Sequence, residues 1–209
     1  MRLYAIVDRL LGPVLKWLYR IELRGAERIP ATGPCVVASN HECVLDGFFL
    51  AVATRRQFRF MAKAELYRYP VLRQVMEGLG CFPVERSGDE GRAVARGLTL
   101  LEQDEAIAIF PQGTSLPYRH RPYRRGAARL ALAAGAPVVP VCLVNTEKVL
   151  QPKTHRIGRP RVTIVVGEPI LVERAEPTTE NATALTVRIE EAIAELRKPF
   201  GRSEQAWMD

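Results

Sequence analysis

The sequence predicts an α/β fold: a single domain whose mainly parallel central sheet is flanked by helices, plus an amphipathic helix at the N-terminus. After residue 21, short apolar runs alternate with longer helical stretches. The apolar residues within each run are continuous, as expected for strands covered on both faces. The chain has 209 residues with no repeat and no linker, which suits one domain.

Helix 1–21 shows a two-sided pattern at 100° per residue. Its basic residues Arg2, Arg9, Lys16 and Arg20 fall within about 40° of one another, opposite a wide apolar face. This is typical of a helix that associates with a membrane surface. The alternative is a surface helix that packs on the domain, and Pro13 predicts a kink in either case. We therefore divide the chain into a membrane-association helix, 1–21, and one domain, 22–209.

The remaining elements follow in alternation, bounded by Gly- and Pro-containing turns such as those at 30–34 and 135–137. The predicted strands are 35–39, 58–62, 81–84, 106–110, 138–143 and 162–166. The predicted helices are 45–54, 69–78, 89–103, 125–134 and 176–197. Strand–helix alternation of this kind produces a parallel sheet with helices on both sides.

Composition and residue spacing exclude several classes of protein. The chain is 47% hydrophobic, which excludes a disordered protein, and its four cysteines lack the spacing of a disulfide or zinc scaffold. Three scattered histidines provide no metal-ligand set, so no metal is expected. Glycine and prolines interrupt the longest charge-free run, 130–146, so no spanning helix is expected. Charged residues break up the apolar residues of the first segment, so no secretory signal is expected either.

The net charge of +7 favours an anionic partner: nucleic acid, a membrane surface, or a phosphorylated or carrier-bound substrate. A basic cluster at 119–129 makes nucleic acid the obvious rival. The sequence contains no recognisable nucleic-acid-binding module, however, so we expect none.

A candidate base lies at the carboxyl end of a predicted strand, where sites of α/β sheets collect. His41 follows the strand 35–39, and Asp46, five residues later, can reach back to one imidazole nitrogen. A carboxylate that fixes the tautomer leaves the other nitrogen free as a general base. The alternative is a structural histidine that caps the next helix. No serine lies in a nucleophile elbow, and Cys43 is either a thiol nucleophile or a buried core residue. Without a protein nucleophile, the base would activate a hydroxyl of the substrate.

Candidate anion contacts lie at two further strand ends. Arg86 follows the strand 81–84, and Gly113 and Thr114 form a turn after the strand 106–110. Guanidinium groups and turn N–H groups both suit a phosphate. Lys63 is a further candidate, with a surface ion pair as its alternative.

Four blocks together resemble the PlsC-like 1-acylglycerol-3-phosphate O-acyltransferases, a glycerolipid acyltransferase family. They are NHECVLD at 40–46, GCFPVER at 80–86, FPQGTS at 110–115 and APVVPV at 136–141. They are similar to the family's N-H-x4-D, G-x-x-x-V-x-R, F-P-E-G-T-R and V-P-I-V-P-V blocks. The blocks occur in the family's order and cover about half of the chain.

The resemblance implies that His41, oriented by Asp46, deprotonates the acceptor hydroxyl, which attacks the thioester of acyl-CoA or acyl-carrier protein. Arg86, Gly113 and Thr114 would hold the acceptor's phosphate, with Lys63 as a helper. No cofactor is implied beyond this co-substrate. Two positions depart from the family: Gln112 replaces an acid, and Ser115 replaces an arginine. Gln112 keeps its capacity for hydrogen bonds and is a candidate acceptor-binding residue, able to contact a hydroxyl or a backbone donor. Arg119 and Arg121 are candidates to replace the lost charge.

The expected function is transfer of a fatty acyl group to the hydroxyl of a lysophosphatidate-like acceptor in phospholipid synthesis. The expected location is the cytoplasm, peripherally associated with the inner face of the cell membrane. Two alternatives remain: an acyltransferase for another lysolipid or a non-phosphate hydroxyl, and a non-catalytic membrane-binding relative. The sequence leaves acyl-chain length, donor and oligomeric state open.

Overall fold

A seven-stranded sheet forms the centre of the fold, in the order β1-β7-β6-β2-β5-β3-β4. The structure is a computed structural model that describes residues 2–54, 56–84, 90–115, 122–150 and 156–201. The strands are β1 (Glu22–Arg24), β2 (Cys35–Ser39), β3 (Phe58–Lys63), β4 (Cys81–Val84), β5 (Ala106–Ile109), β6 (Val138–Val144) and β7 (Thr163–Val166). The helices are α1 (Arg2–Leu18), α2 (Asp46–Ala51), α3 (Pro70–Gly78), α4 (Glu90–Glu102), α5 (Gly126–Ala134) and α6 (Thr179–Arg197).

The strand pairing confirms the predicted fold class. Neighbouring strands are parallel throughout, except that β6 and β7 are antiparallel. The sequence did not predict β1, a three-residue edge strand with exposed charges at its end, because so short an edge carries no apolar run. Helix α6 begins at residue 179 rather than at the predicted 176, since the Thr178 hydroxyl accepts the Asn181 N–H and caps the helix there.

The core has two layers, one on each face of the sheet. Along β2, Val36 and Ala38 pack into the layer that α4, α5 and α6 cover. Cys35 and Val37 point to the opposite face and pack with α2 and the residues after α1. Every residue of β2 is buried, and this explains why its first four residues, 35–38, are all apolar.

Helix α1 both packs on the domain and exposes apolar side chains. Leu15 and Leu18 pack against the core, and Tyr19 beyond the helix is buried, with its ring edge-on to Phe49. Leu10, Val14 and Trp17 are exposed on another face of the helix. The helix continues through Pro13. Among the described residues, no helix combines the length and the hydropathy that a membrane span requires.

Candidate active site

Two adjacent parallel strands bring His41 next to Phe110. Strands β2 and β5 pair with Ala38 opposite Ile109, so the residues that follow them leave the sheet side by side. The two rings stack with centroids 4.2 Å apart and planes inclined by 20°. The stack fixes the orientation of the imidazole, whose side chain is 17% exposed.

The Asp46 carboxylate makes several hydrogen bonds to the loop between β2 and α2. Asp46 is fully buried, and its Oδ2 lies 2.9 Å from His41 Nδ1. The same oxygen accepts the backbone N–H groups of Glu42, at 2.7 Å, and Cys43, at 2.8 Å. Such charge-assisted bonds hold the loop and the imidazole in one arrangement. With Nδ1 donating to Asp46, Nε2 of His41 is left as the proton acceptor.

The turn after β5 completes this arrangement. Gln112 Oε1 accepts the backbone N–H of His41 at 2.5 Å, which joins the two loops. Gly113 adopts a left-handed conformation, with φ at +76°. A Cβ at Gly113 would lie 3.1 Å from Nε of Arg124, so the guanidinium group packs directly over this glycine. Glycine is needed here both for the backbone angle and for that contact.

A cleft of about 360 Å³ opens at His41. One part of its wall is basic, formed by Arg124, Arg125 and Arg129, which lie just before α5 and in its first turn. Other parts of the wall are apolar and include Met61, Val84, Val94, Ile109 and Phe110. The cleft therefore offers a base, positive charge and an apolar surface together.

Several predicted site residues cannot be placed in this cleft. Arg86, Arg119 and Arg121 lie outside the described residues. Lys63 is the last residue of β3, but its side chain also lies outside them. Thr114 is half-buried next to Gly113, outside the cleft wall. These assignments stay predictions.

The structure also identifies contacts that the sequence argument missed. The sequence suggested no specific role for Phe110, which orients His41 by stacking. Arg124, Arg125 and Arg129 belong to the basic cluster at 119–129, and the structure places all three in the cleft wall. The available signal was the i, i+4 spacing of Arg125 and Arg129 at the start of α5, which puts both on one helix face.

The Cys43 thiol has the properties of a core residue. It is 3% exposed and packs in the layer beneath α2. Burial raises the pKa of this thiol, and the nearby Asp46 carboxylate adds to the effect. A thiol kept protonated in this way is a poor nucleophile, which argues for the buried interpretation.

The residues that form this site lie within a region that matches a known protein family. The family model described as "Acyltransferase" matches residues 20–144, which include the His41–Asp46 loop, the turn at 110–115 and the basic wall. The chain belongs to the acyltransferase family.

Individual relatives agree with the acyltransferase assignment. A chloroplastic 1-acyl-sn-glycerol-3-phosphate acyltransferase of Brassica napus is 28% identical over 78% of this chain and 49% of its own length. The chain thus spans about half of that protein. The 1-acyl-sn-glycerol-3-phosphate acyltransferase of Bacillus subtilis is 25% identical over 93% of this chain and 96% of its own.

The crystal structure of the Thermotoga maritima 1-acyl-sn-glycerophosphate acyltransferase superposes with a TM-score of 0.76. It covers 95% of this chain and 81% of its own, at 19% sequence identity. This likeness shows that the acyltransferase domain has the same fold.

Proposed function

We propose that this chain transfers a fatty acyl group from a thioester, acyl-CoA or acyl-carrier protein, to the hydroxyl of a lysophosphatidate-like acceptor, with His41 as general base. The observation that carries the proposal is the bond from His41 Nδ1 to the buried Asp46 carboxylate, beside a cleft with a basic wall. The Brassica and Bacillus relatives are named for acylation of 1-acyl-sn-glycerol-3-phosphate.

In the proposed reaction, Nε2 of His41 takes the hydroxyl proton while the acceptor oxygen attacks the thioester carbonyl carbon. The carbon–sulfur bond then breaks, and the imidazolium returns its proton to the departing sulfur. Asp46 stabilises the imidazolium between these steps. No covalent acyl-enzyme is formed, in keeping with the buried state of Cys43.

We assign acceptor recognition to Arg124, with Arg86, Lys63, Gly113 and Thr114 as the further predicted contacts. Arg124 is exposed and lies over the Gly113 turn, in the wall of the cleft that His41 enters. A phosphate held there would place a hydroxyl on the same small molecule within reach of the base. Charge-assisted contacts of this kind are each worth about 1.5–3 kcal/mol, or roughly 10- to 100-fold in binding.

The test is product identification by mass spectrometry with both thioester donors, and with lysophosphatidate and monoacylglycerol as acceptors. We expect phosphatidate from lysophosphatidate only, and its loss in His41→Ala. Arg124→Met should raise the KM for lysophosphatidate at least tenfold. Arg188→Met, at an exposed arginine on α6, is the matched control and should leave this KM unchanged. Equal turnover of both acceptors would instead favour a non-phosphate hydroxyl substrate.

The proposed location is the inner face of the cell membrane, with α1 and α3 as the contact surface. The two helices pack together. Leu10, Val14 and Trp17 on α1, and Val71 and Val75 on α3, are exposed apolar residues. Exposed Arg9, Lys16 and Arg20 are available to anionic headgroups.

Vesicle co-sedimentation tests this surface. Wild type should bind phosphatidylglycerol-containing vesicles more than pure phosphatidylcholine vesicles. Trp17→Asp and Val71→Asp should each weaken binding, because the carboxylate opposes both insertion and the anionic surface. Leu171→Asp is the control, since Leu171 is equally exposed between β7 and α6. If all three variants bind like wild type, the proposed surface is wrong. Binding without turnover of any acceptor would favour the non-catalytic relative.

A further inference from the structure

A second group of polar residues is centred on Glu42, within the His41–Asp46 loop and outside the lining of the cleft. Glu42 follows His41 directly, and its backbone N–H binds Asp46. Its side chain is 11% exposed, and Oε1 accepts from Nη1 of Arg197 at 2.8 Å. Arg197 is the last residue of α6, which connects the loop to an element 155 residues later in the chain.

Asn40 joins the same group to β6. Its amide donates to the Leu143 carbonyl at 2.9 Å and to Glu42 Oε1 at 3.3 Å, while its oxygen accepts the Leu143 N–H at 2.7 Å. Arg197 Nη1 lies 3.3 Å from the same Leu143 carbonyl. The backbone before and after His41 is thus attached to β6 and α6 through buried polar contacts.

A second buried acid, Glu147, lies beside this network. The Glu147 side chain, 2% exposed on the short helical turn Thr146–Lys148, lies close to Glu42. Burial raises the pKa of Glu42, the neighbouring Glu147 adds to the shift, and the Arg197 guanidinium opposes it. Arg197 is therefore the positive charge that favours the ionised Glu42 carboxylate at this buried position.

We propose that Arg197 and Glu42 are positioning residues, whose ion pair attaches the loop to the end of α6 and so keeps Asp46 aligned with His41. The inference rests on the proposed acyl transfer. The chain of contacts is short: Arg197 binds the Glu42 carboxylate, the Glu42 N–H binds Asp46 Oδ2, and that oxygen binds His41 Nδ1. Neither residue is part of the cleft lining around His41.

The variants are Arg197→Met, Arg197→Lys, Glu42→Gln and the double replacement Glu42→Gln/Arg197→Met. Arg197→Met leaves the buried Glu42 carboxylate without its cation, and Glu42→Gln leaves the Arg197 charge unbalanced. The double replacement removes both charges and is the variant expected to fold best. A displacement of about 1 Å in a catalytic group can cost roughly 100-fold in rate. We therefore expect kcat to fall roughly 10- to 100-fold in Arg197→Met, with each substrate's KM within about twofold of wild type, and Arg197→Lys to recover part of the loss.

The matched control is the ion pair between Arg59 and Glu105. Its atoms lie 2.6 Å apart at similar depth, with side chains 19% and 24% exposed. It joins the amino-terminal parts of β3 and β5, the opposite edge of the sheet from His41. Arg59→Met should lower the melting temperature as Arg197→Met does, while its kcat stays at the wild-type value.

A second measurement does not depend on turnover. The Nδ1–H signal of His41 in NMR, assigned by its loss in His41→Ala, reports the bond to Asp46. It should persist in Arg59→Met and be lost or broadened in Arg197→Met. If Arg197→Met keeps this signal and the wild-type kcat, the positioning role is wrong even though the acyl transfer stands. Absence of turnover in wild type would contradict the proposed function, and the NMR result alone would then decide the positioning role.

Discussion

Replacing Asp46 with asparagine removes one charge and almost no volume. The side chain is fully buried, and its Oδ2 accepts from His41 Nδ1 and from two backbone N–H groups. If the amide oxygen takes the place of Oδ2, the three bonds survive without charge assistance. If the amide NH₂ takes that place, it donates to His41 Nδ1 and drives the proton to Nε2, the atom that must accept one.

The expected fall in kcat follows from the distance between the imidazolium and carboxylate charges. An imidazolium and a carboxylate bonded at 2.9 Å have charge centres about 4 Å apart, worth about 4 kcal/mol at an effective dielectric constant near 20. Because each 1.4 kcal/mol is a factor of ten, kcat should fall on the order of 1000-fold. Weaker bonds to the two N–H groups should also lower the free energy of unfolding by about 1–3 kcal/mol.

The assay is thioester turnover with lysophosphatidate, together with urea unfolding of the same samples. Glu105→Gln is the matched control, since it makes the same acid-to-amide change at a half-buried ion pair distant from the cleft. It should lose stability and keep kcat. If a folded Asp46→Asn protein turned over within about threefold of wild type, His41 would not require the carboxylate and the mechanism would be refuted.

Three further outcomes are expected. Gly113→Ala should raise the KM for lysophosphatidate, measured by steady-state kinetics, because its Cβ displaces Arg124. Gly33 has a similar positive φ but no atom near the position of a Cβ, so Gly33→Ala should lower the melting temperature and leave this KM unchanged. Gly97→Ala should lower the free energy of unfolding by about 1–3 kcal/mol in urea titrations, because its Cβ would lie 2.8 Å from Leu130, and a smaller side chain at 130 should recover part of this. Burial raises the pKa of all four cysteine thiols, so iodoacetamide at pH 8 should label the native protein far more slowly than the unfolded chain.

Most of the sheet was predictable because its strands are buried on both faces. The predicted strand 35–39 begins with four apolar residues, and the structure makes it β2 with the same bounds. Strand β1 was not predictable, since a three-residue edge strand without buried side chains carries no apolar run. The antiparallel direction of β7 was equally hidden, because burial favours the same residues in either orientation.

The candidate site was also predictable only in part. The pairing of His41 with Asp46 was a sequence prediction, because both residues lie on one short loop and the spacing alone brings them within reach. Gln112 was predicted to keep hydrogen bonds, and the structure supplies its partner, the His41 N–H. No spacing rule links residues 71 positions apart, so this contact depended on the adjacency of β2 and β5.

By itself, the sequence determined the α/β class, the order of its main elements and the contact between His41 and Asp46, because these follow from local apolar patterns and short-range reach. Only the tertiary structure decided that Arg124 lies over Gly113, that Phe110 stacks on His41, and that Arg197 reaches Glu42. The physical reason is that strand order and helix docking set these neighbours. A residue's type states which bonds it can form, whereas the fold selects the partner that is within 3 Å.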